Sequence, residues 1–291
     1  MKIIKYIIEA IFFYILFFLV KILGLNLGRK ICSFLILKIG HIFRPKKLIK
    51  ENISNALGKV SALEEKDIID SMWKNYGCIL AEYIHLDKFR YNKFSNPHIR
   101  IDGKEILDEV IKSNKPAIFI SGHFGSFEMM AMELEKYKIN LAAIYRPLNN
   151  IFLNPFMVFL RKKYICKNQI EKGLGGARKA IDYIKKNHSI ALMVDQRLGE
   201  SERFSFFNKP AHTTTLPAQL ALKFNCNIIP IYFERNSDNF FQMEILKPIQ
   251  FDKTNNLEED KKKITLKINQ ILEKMILRNP KQWIWTHGRW K

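Results

Sequence analysis

Residues 117–128 read AIFISGHFGSFE: a short apolar run, a glycine-flanked loop carrying His123, then Ser126 and Glu128 where a helical pattern begins. A buried run of strand length followed at once by a loop and a helix is the repeating unit of an α/β layer fold. The unit recurs along the chain. Apolar runs at residues 141–145 (LAAIY), 190–194 (IALMV) and 227–233 (NIIPIYF) alternate with helical periodicity over 104–112, 127–137, 175–186 and 215–224. Runs that are apolar at every position, rather than at every second one, belong to strands buried on both faces, so the sheet is expected to be mainly parallel. Upstream, residues 64–86 carry apolar side chains at helical spacing, and a mixed-charge helix is expected over 257–277. No repeat and no Gly/Ser/Pro linker divides residues 45–291, which read as one domain.

Composition sets the outer limits. The 291 residues fit one large domain or two small ones, and 47% apolar with 22 Phe excludes a disordered or fibrous chain. Lys and Arg total 48 against 28 Asp and Glu, a net charge of +20. Such a chain asks for an anionic partner: nucleic acid, an anionic membrane, or an acidic protein or phosphorylated substrate. The cysteines (Cys32, Cys78, Cys166, Cys226) are scattered without C-x-x-C or zinc spacing, so they read as reduced thiols, with neither a disulfide framework nor a structural metal indicated.

The N-terminus is of a different kind. Residues 11–20 carry no charge, and apolar character extends from 3 to 27, broken chiefly by Lys5, Glu9 and Lys21. About 20 mostly apolar residues suffice to span a bilayer, so a spanning anchor and a helix lying in the interface both fit, with the lysines snorkelling to headgroups. A cleaved signal peptide lacks its small-x-small site. Basic residues crowd the C-terminal side (Arg29, Lys30, Lys38, Arg44, Lys46, Lys47, Lys50), which by the positive-inside rule leaves the bulk of the protein cytoplasmic. Residues 31–43 are too short to span and read as an interfacial or core-packed helix, giving a membrane segment over 1–44.

In an open α/β sheet, ligands bind beyond the carboxyl ends of the strands. His123 and Glu128 follow one such end, and Asp195-Gln196-Arg197 follow another. With 7 His and 28 acids in 291 positions, chance gives roughly 0.7 His-x4-acid pairs, so context and not spacing carries the signal. Imidazole, with an ordinary pKa of about 6.5, accepts a proton at neutral pH, and a nearby carboxylate orients it and stabilises the imidazolium. Gly122 and Gly125 allow close backbone approach, Ser126 is placed to cap the next helix, and loop amides are expected to receive an oxyanion.

The stretch SGHFGSFE resembles the H-x-x-x-x-[DE] acyltransferase motif and, in this fuller form, the bacterial lipid A late acyltransferases, the lauroyl/myristoyl transferase family. YRPLNN (145–150), KGLGGARKAI (172–181), VDQR (194–197) with FFNKPAHTT (206–214), and the terminal WIWTHGRWK (283–291) agree in order over essentially the whole chain. The resemblance implies a glycerolipid-acyltransferase-like αβ layered domain behind an N-terminal membrane helix. It implies an inner-membrane enzyme moving a fatty acyl group from acyl carrier protein to a hydroxyl of a Kdo-bearing lipid A precursor. His123 would be the general base and Glu128 would orient its ring. The acyl-carrier-protein thioester is a co-substrate, and no metal or bound cofactor is required.

Weaker expectations attach to the other motifs. Arg146 would bind a phosphate or carboxylate of the acceptor, or be an ordinary surface arginine. Asp195 and Gln196 would orient substrate or loop, or make a structural strand-to-loop bond. Lys172 and Arg178 would face anionic headgroups, or be solvated charges. Arg289, with Trp283, Trp285 and Trp290, would contact substrate or the membrane-facing edge, or pack in the core. Asn208, Gly288 and Arg197 depart from the family's usual residues. A related acyltransferase with a phosphoglycerolipid or glycolipid acceptor is the alternative enzyme. A nucleic-acid binder lacks any recognition motif and leaves the apolar N-terminus without a role, and an inactive scaffold has no use for the His123/Glu128 motif.

Overall fold

The computed structural model describes residues 2–197 and 201–291. The chain enters through two long helices, α1 (Lys2–Leu23) and α2 (Leu25–Phe43), followed by α3 (Lys46–Leu57), α4 (Ala62–Ile84) and the short α5 (Leu86–Arg90). Ser61 starts α4 by accepting from the Glu64 amide, with Glu64 and Glu65 in the first turn, so the cap and the dipole agree. An alternating succession follows: β1 (Ile99–Asp102), α6 (Lys104–Ser113), β2 (Ile118–Ser121), α7 (Met129–Lys136), β3 (Leu141–Tyr145), α8 (Asn154–Leu160), β4 (Asn168–Glu171), α9 (Leu174–Lys185) and β5 (Ser189–Met193). Then come a small antiparallel hairpin, β6 (Arg203–Phe206) and β7 (Lys209–His212), α10 (Leu216–Phe224), the antiparallel pair β8 (Ile228–Arg235) and β9 (Phe241–Ile245), and α11 (Leu257–Arg278). The expected α/β fold is therefore present.

The main sheet has seven strands in the order β1-β9-β8-β2-β5-β3-β4. All neighbours are parallel except β8 and β9. The fully buried β2 and the nearly fully buried β5 lie inside the sheet, while β1 (IRID) and β4 (NQIE) form its edges. Their polar composition is what hid β1 and β4 from a reading based on apolar runs, since an edge strand has less surface to bury.

Two apolar layers cover the faces. One packs α10, α11 and the C-terminal tryptophans against the sheet, and the other packs α6, α7 and the π turn that follows α8. Trp283 and Trp285 are 3% and 0% exposed, and Trp290 stacks on Phe206, so the C-terminal tryptophans pack inward rather than at a membrane-facing edge.

Among the described residues one helix, α1, is long and apolar enough to cross a membrane. By contrast α2 packs along α4, and Ile36 and Leu37 join the main core. Arg29 of α2 and Arg235 of β8 converge on the buried Glu82 of α4; Arg29 Nε stands 2.8 Å from Glu82 Oε1 and Arg235 Nη2 2.9 Å from Oε2. Burial would raise the Glu82 carboxyl, but these two guanidinium groups hold it below the usual range. A charge in such a place is tolerated only while paired, so this cluster fixes α2 to α4 and the sheet.

Candidate active site

Parallel register creates the site. Ser121, the last residue of β2, pairs with Met193, the last of β5, and the Val194 amide still donates to the Ser121 carbonyl at 2.9 Å. Two residues further on, both chains leave the sheet side by side, which brings His123 against Asp195. Asp195 is 2% exposed and receives three bonds: the His123 ring Nδ1 at 2.7 Å to Oδ1, and the His123 amide and Trp283 Nε1 at 2.8 Å each to Oδ2. Burial alone would raise this carboxyl. The charge of His123 and the bonds from His123 and Trp283 outweigh it and hold Asp195 well below the ordinary carboxylate range. An ionised carboxylate only accepts, so Nδ1 carries a proton, and in the neutral ring the lone pair is then on Nε2. The Gln196 amide nitrogen stands 2.8 Å from Nε2 and donates to it.

The expectation for Glu128 is corrected. Its hydrogen bonds go not to the ring but to Arg161 as a two-pronged pair, Oε2 to Nε at 2.9 Å and Oε1 to Nη2 at 2.6 Å. Burial raises the Glu128 carboxyl, but the Arg161 charge and bonds, with a smaller contribution from His123, hold it below its usual value. Arg161 sits on a π-helical turn (Arg161–Ile165) after α8, a distortion that re-aims side chains. Five residues of separation put Glu128 across a wide turn from His123 rather than one helical turn above it, because α7 starts only at Met129.

The glycines act from beneath. A Cβ on Gly122 would stand 2.6 Å from the Phe124 ring and 3.2 Å from Asp195 Oδ2, and Gly125 holds φ +49°. Neither lines the cavity: Gly122 lets the loop close over Asp195, and Gly125 lets it pack against Gln282 and the end of β8. Ser126 does not cap α7; its hydroxyl faces the buried Glu82 carboxylate. Two loop amides are also occupied, His123's by Asp195 and Phe124's by the Gly122 carbonyl at 2.9 Å, so they are not available to an oxyanion.

His123 opens onto a cavity of about 1250 Å³. Its inner wall is apolar, with Ile79, Met130, Ala143 and Met193, and its outer wall carries Arg146, Lys172 and Arg197. Burial, and then the neighbouring Arg146 charge, lower the Lys172 ammonium, with Asp195 opposing the shift. Arg178 is exposed on α9 and lies outside the lining. Arg289 is 1% exposed and also outside it; its Nη2 bonds Asn269 Oδ1 at 2.6 Å, its plane lies 3.7 Å over Phe206, and burial pushes the guanidinium down to about 10. It fastens the C-terminus to the β6–β7 hairpin.

Besides Arg161, a second lining residue escaped sequence reasoning. His287, inside the WIWTHGRWK stretch, has its ring 5.9 Å from that of His123. Burial, and then the His123 charge, push its imidazole down to about 3, so it is neutral. The stretch stood out in the sequence; which of its residues faces His123 depends on how the C-terminus crosses the loop after β2, where Phe124 bridges to Trp283.

A second histidine–carboxylate pair is buried elsewhere. His98 Nε2 lies 3.4 Å from Glu133 Oε1, beside a separate cavity of about 470 Å³. The pair has the composition of an acid–base dyad, but Glu133 is bonded to Lys136 at 2.8 Å and the His98 ring is packed between Phe89 and Phe94. Among the described residues no group of three or more His, Cys, Asp or Glu is arranged to hold a metal.

Comparison with known proteins gives a consistent picture. The family model described as bacterial lipid A biosynthesis acyltransferase matches residues 1–291. The chain is 22% identical over 277 residues to the lipid A biosynthesis palmitoleoyltransferase of Escherichia coli (strain K12), covering 92% of this chain and 88% of that protein. It is 23% identical over 242 residues to the lipid A biosynthesis acyltransferase 2 of Shigella flexneri, covering 81% and 74%.

Proposed function

The chain belongs to the bacterial lipid A biosynthesis acyltransferase family, and from that premise we propose that it moves a fatty acyl group from acyl carrier protein to a hydroxyl of a Kdo-bearing lipid A precursor. The observation that carries the reading is the presentation of His123 Nε2 to a large, inwardly apolar cavity while Nδ1–H is held by Asp195. The acceptor hydroxyl displaces the Gln196 amide from Nε2 and gives its proton to that nitrogen. Its oxygen attacks the thioester carbonyl carbon, a tetrahedral oxyanion forms, and the C–S bond breaks. The departing thiolate takes the proton back from the imidazolium, leaving an ester and a free thiol.

Each residue then has a task. Asp195 fixes the tautomer and stabilises the imidazolium, in place of Glu128. Glu128 and Arg161 brace the wall between α7 and the π turn. The freed Gln196 amide and the neutral His287 replace the loop amides as oxyanion donors; a neutral imidazole donates without adding a charge beside the base. Arg146, Lys172 and Arg197 face the anionic groups of the acceptor.

The domain division follows the same logic, with residues 1–44 as the membrane segment and 45–291 as the catalytic domain. The basic residues after α1 support a location on the inner membrane with the catalytic domain on its cytoplasmic side, where an acidic carrier protein meets a +20 chain. Mass spectrometry of lipid A from cells with and without the protein tests the reading. One secondary acyl chain should be missing without it; an unchanged lipid A together with an altered phosphoglycerolipid or glycolipid would assign the acceptor to another class.

A further inference from the structure

Length and composition allow α1 either to cross a bilayer or to lie in its surface, and its contacts distinguish the two. The packed stripe of α1 runs from Ala10 through Leu16 and Phe17 to Val20, all buried. Near its start, Asn150 Nδ2 donates to the Tyr6 carbonyl at 2.9 Å and to Glu9 Oε2 at 3.2 Å, and the Tyr14 hydroxyl donates to the Phe152 carbonyl at 2.9 Å. Near its end, Lys21 Nζ stands 3.0 Å from Asp87 Oδ1, and His85 meets the Val20 carbonyl at 3.1 Å. Catalytic-domain residues thus grip α1 from Tyr6 to Lys21, about 22 Å at 1.5 Å per residue. Were α1 perpendicular to the membrane, the loop before α8 and the Lys21–Asp87 pair would be carried into or across a hydrocarbon layer about 30 Å thick, where loop backbone has no partners.

The remaining circumference of α1 is exposed and apolar, including Ile4, Ile11, Phe18 and Ile22. The same surface continues onto the catalytic domain. Ile151, Phe152 and Phe159 are 59%, 40% and 53% exposed, and Phe156 between them packs against Tyr14 and Phe17 of α1. Cations border it: Lys162 and Lys163 are exposed directly after Phe159, with the Lys163 ammonium 5.3 Å from that ring, and Lys2 and Lys5 lie at the start of α1. An apolar band edged by lysines matches an anionic leaflet, with the rings in the acyl boundary and the ammonium groups at the phosphates.

We infer that α1 lies in the plane of the membrane, and that the loop and helix at residues 150–159 form a second membrane-inserting element beside it on the catalytic domain. The placement matters because Pro147, Leu148 and Asn149, immediately before that element, line the cavity that contains His123. A lipid acceptor therefore slides its chains from the leaflet into the cavity without leaving an apolar surface.

The inference takes from the proposed function only that the acceptor is a lipid, and its test reads depth without turnover, so the two fail separately. Single spin labels on cysteines placed at Ile4, Ile11, Ile22 or Phe152, in the full chain on vesicles of phosphatidylethanolamine and phosphatidylglycerol, report depth by collision with oxygen and a nickel chelate. Cys32, Cys166 and Cys226 are buried, with thiols pushed up to about 11, 12 and 11, and do not compete for the label; Cys78, bonded to Ser33, is replaced as Cys78→Ser. All four labels should sit at one shallow depth, about 5–10 Å into the boundary. Ile11 at the bilayer centre with Ile4 and Ile22 near opposite surfaces would overturn the in-plane helix. Phe152 in water would overturn the second element, as would labels shielded in a dimer that forms without vesicles.

Discussion

His123 and His98 are both largely buried histidines beside carboxylates, yet the surroundings give them different capacities. His123 leaves the carboxyl end of a central strand, its Nδ1 locked to Asp195 and its Nε2 facing about 1250 Å³ of cavity. His98 precedes an edge strand, and its ring is clasped by Phe89 and Phe94. Its carboxylate neighbour is bonded to a lysine, and its Nε2 makes no hydrogen bond. A histidine works as a base when one nitrogen is fixed and the other is presented to substrate. Proximity to an acid satisfies neither condition by itself.

Substitutions on the two sides should separate them sharply. His123→Ala is expected to lower acyl transfer about 10³–10⁴-fold in a steady-state assay with acyl carrier protein thioester, with folding retained by circular dichroism. Asp195→Asn should cost about 10²–10³-fold, because an amide that donates to Nδ1 selects the wrong tautomer. Comparable losses in His98→Gln would erase the distinction.

Stability should respond next. Below about 6.5 the unfolded chain protonates His287, whereas the folded chain resists until about 3, so the unfolded state binds more protons and stability falls as pH falls through that window. Urea titrations between pH 7 and pH 4 should show a slope of up to about 1.4 kcal/mol per pH unit from this group, which His287→Gln removes. An unchanged slope in the variant would show that His287 is already protonated when folded.

The smallest effect is expected at the second pair. His98→Gln and Glu133→Gln should leave turnover within about threefold of the parent and lower stability by about 1–3 kcal/mol, since the first removes a ring packed on Phe89 and Phe94 and the second weakens the pair with Lys136. Thermal melting alongside the activity assay reads both.

Much of this was legible before any coordinates. Apolar runs placed β2, β3, β5 and β8 to within a residue or two, because strands covered on both faces leave a continuous signal. They could not place the edges β1 and β4, nor β9, whose FQMEI alternates buried and half-buried residues. At the site, His123 stood out from its position after β2 and its two glycines. Asp195 stood out as a second strand-end residue, but not as the partner of His123, because it is 72 residues away and only the β2–β5 register joins them. The same non-local pairing put Trp283 against Asp195 and His287 beside His123, while Glu128, near in sequence, was drawn to Arg161.

The dependence of Asp195 on His123 is best measured as a double-mutant cycle on turnover, comparing His123→Ala, Asp195→Asn and the combination in the same purified enzyme. If Asp195 acts through the imidazole, the combined variant is no slower than His123→Ala alone, because the second change removes support from a base that is already gone. Losses that multiply would place Asp195 on an independent task and return the orientation of His123 to another residue.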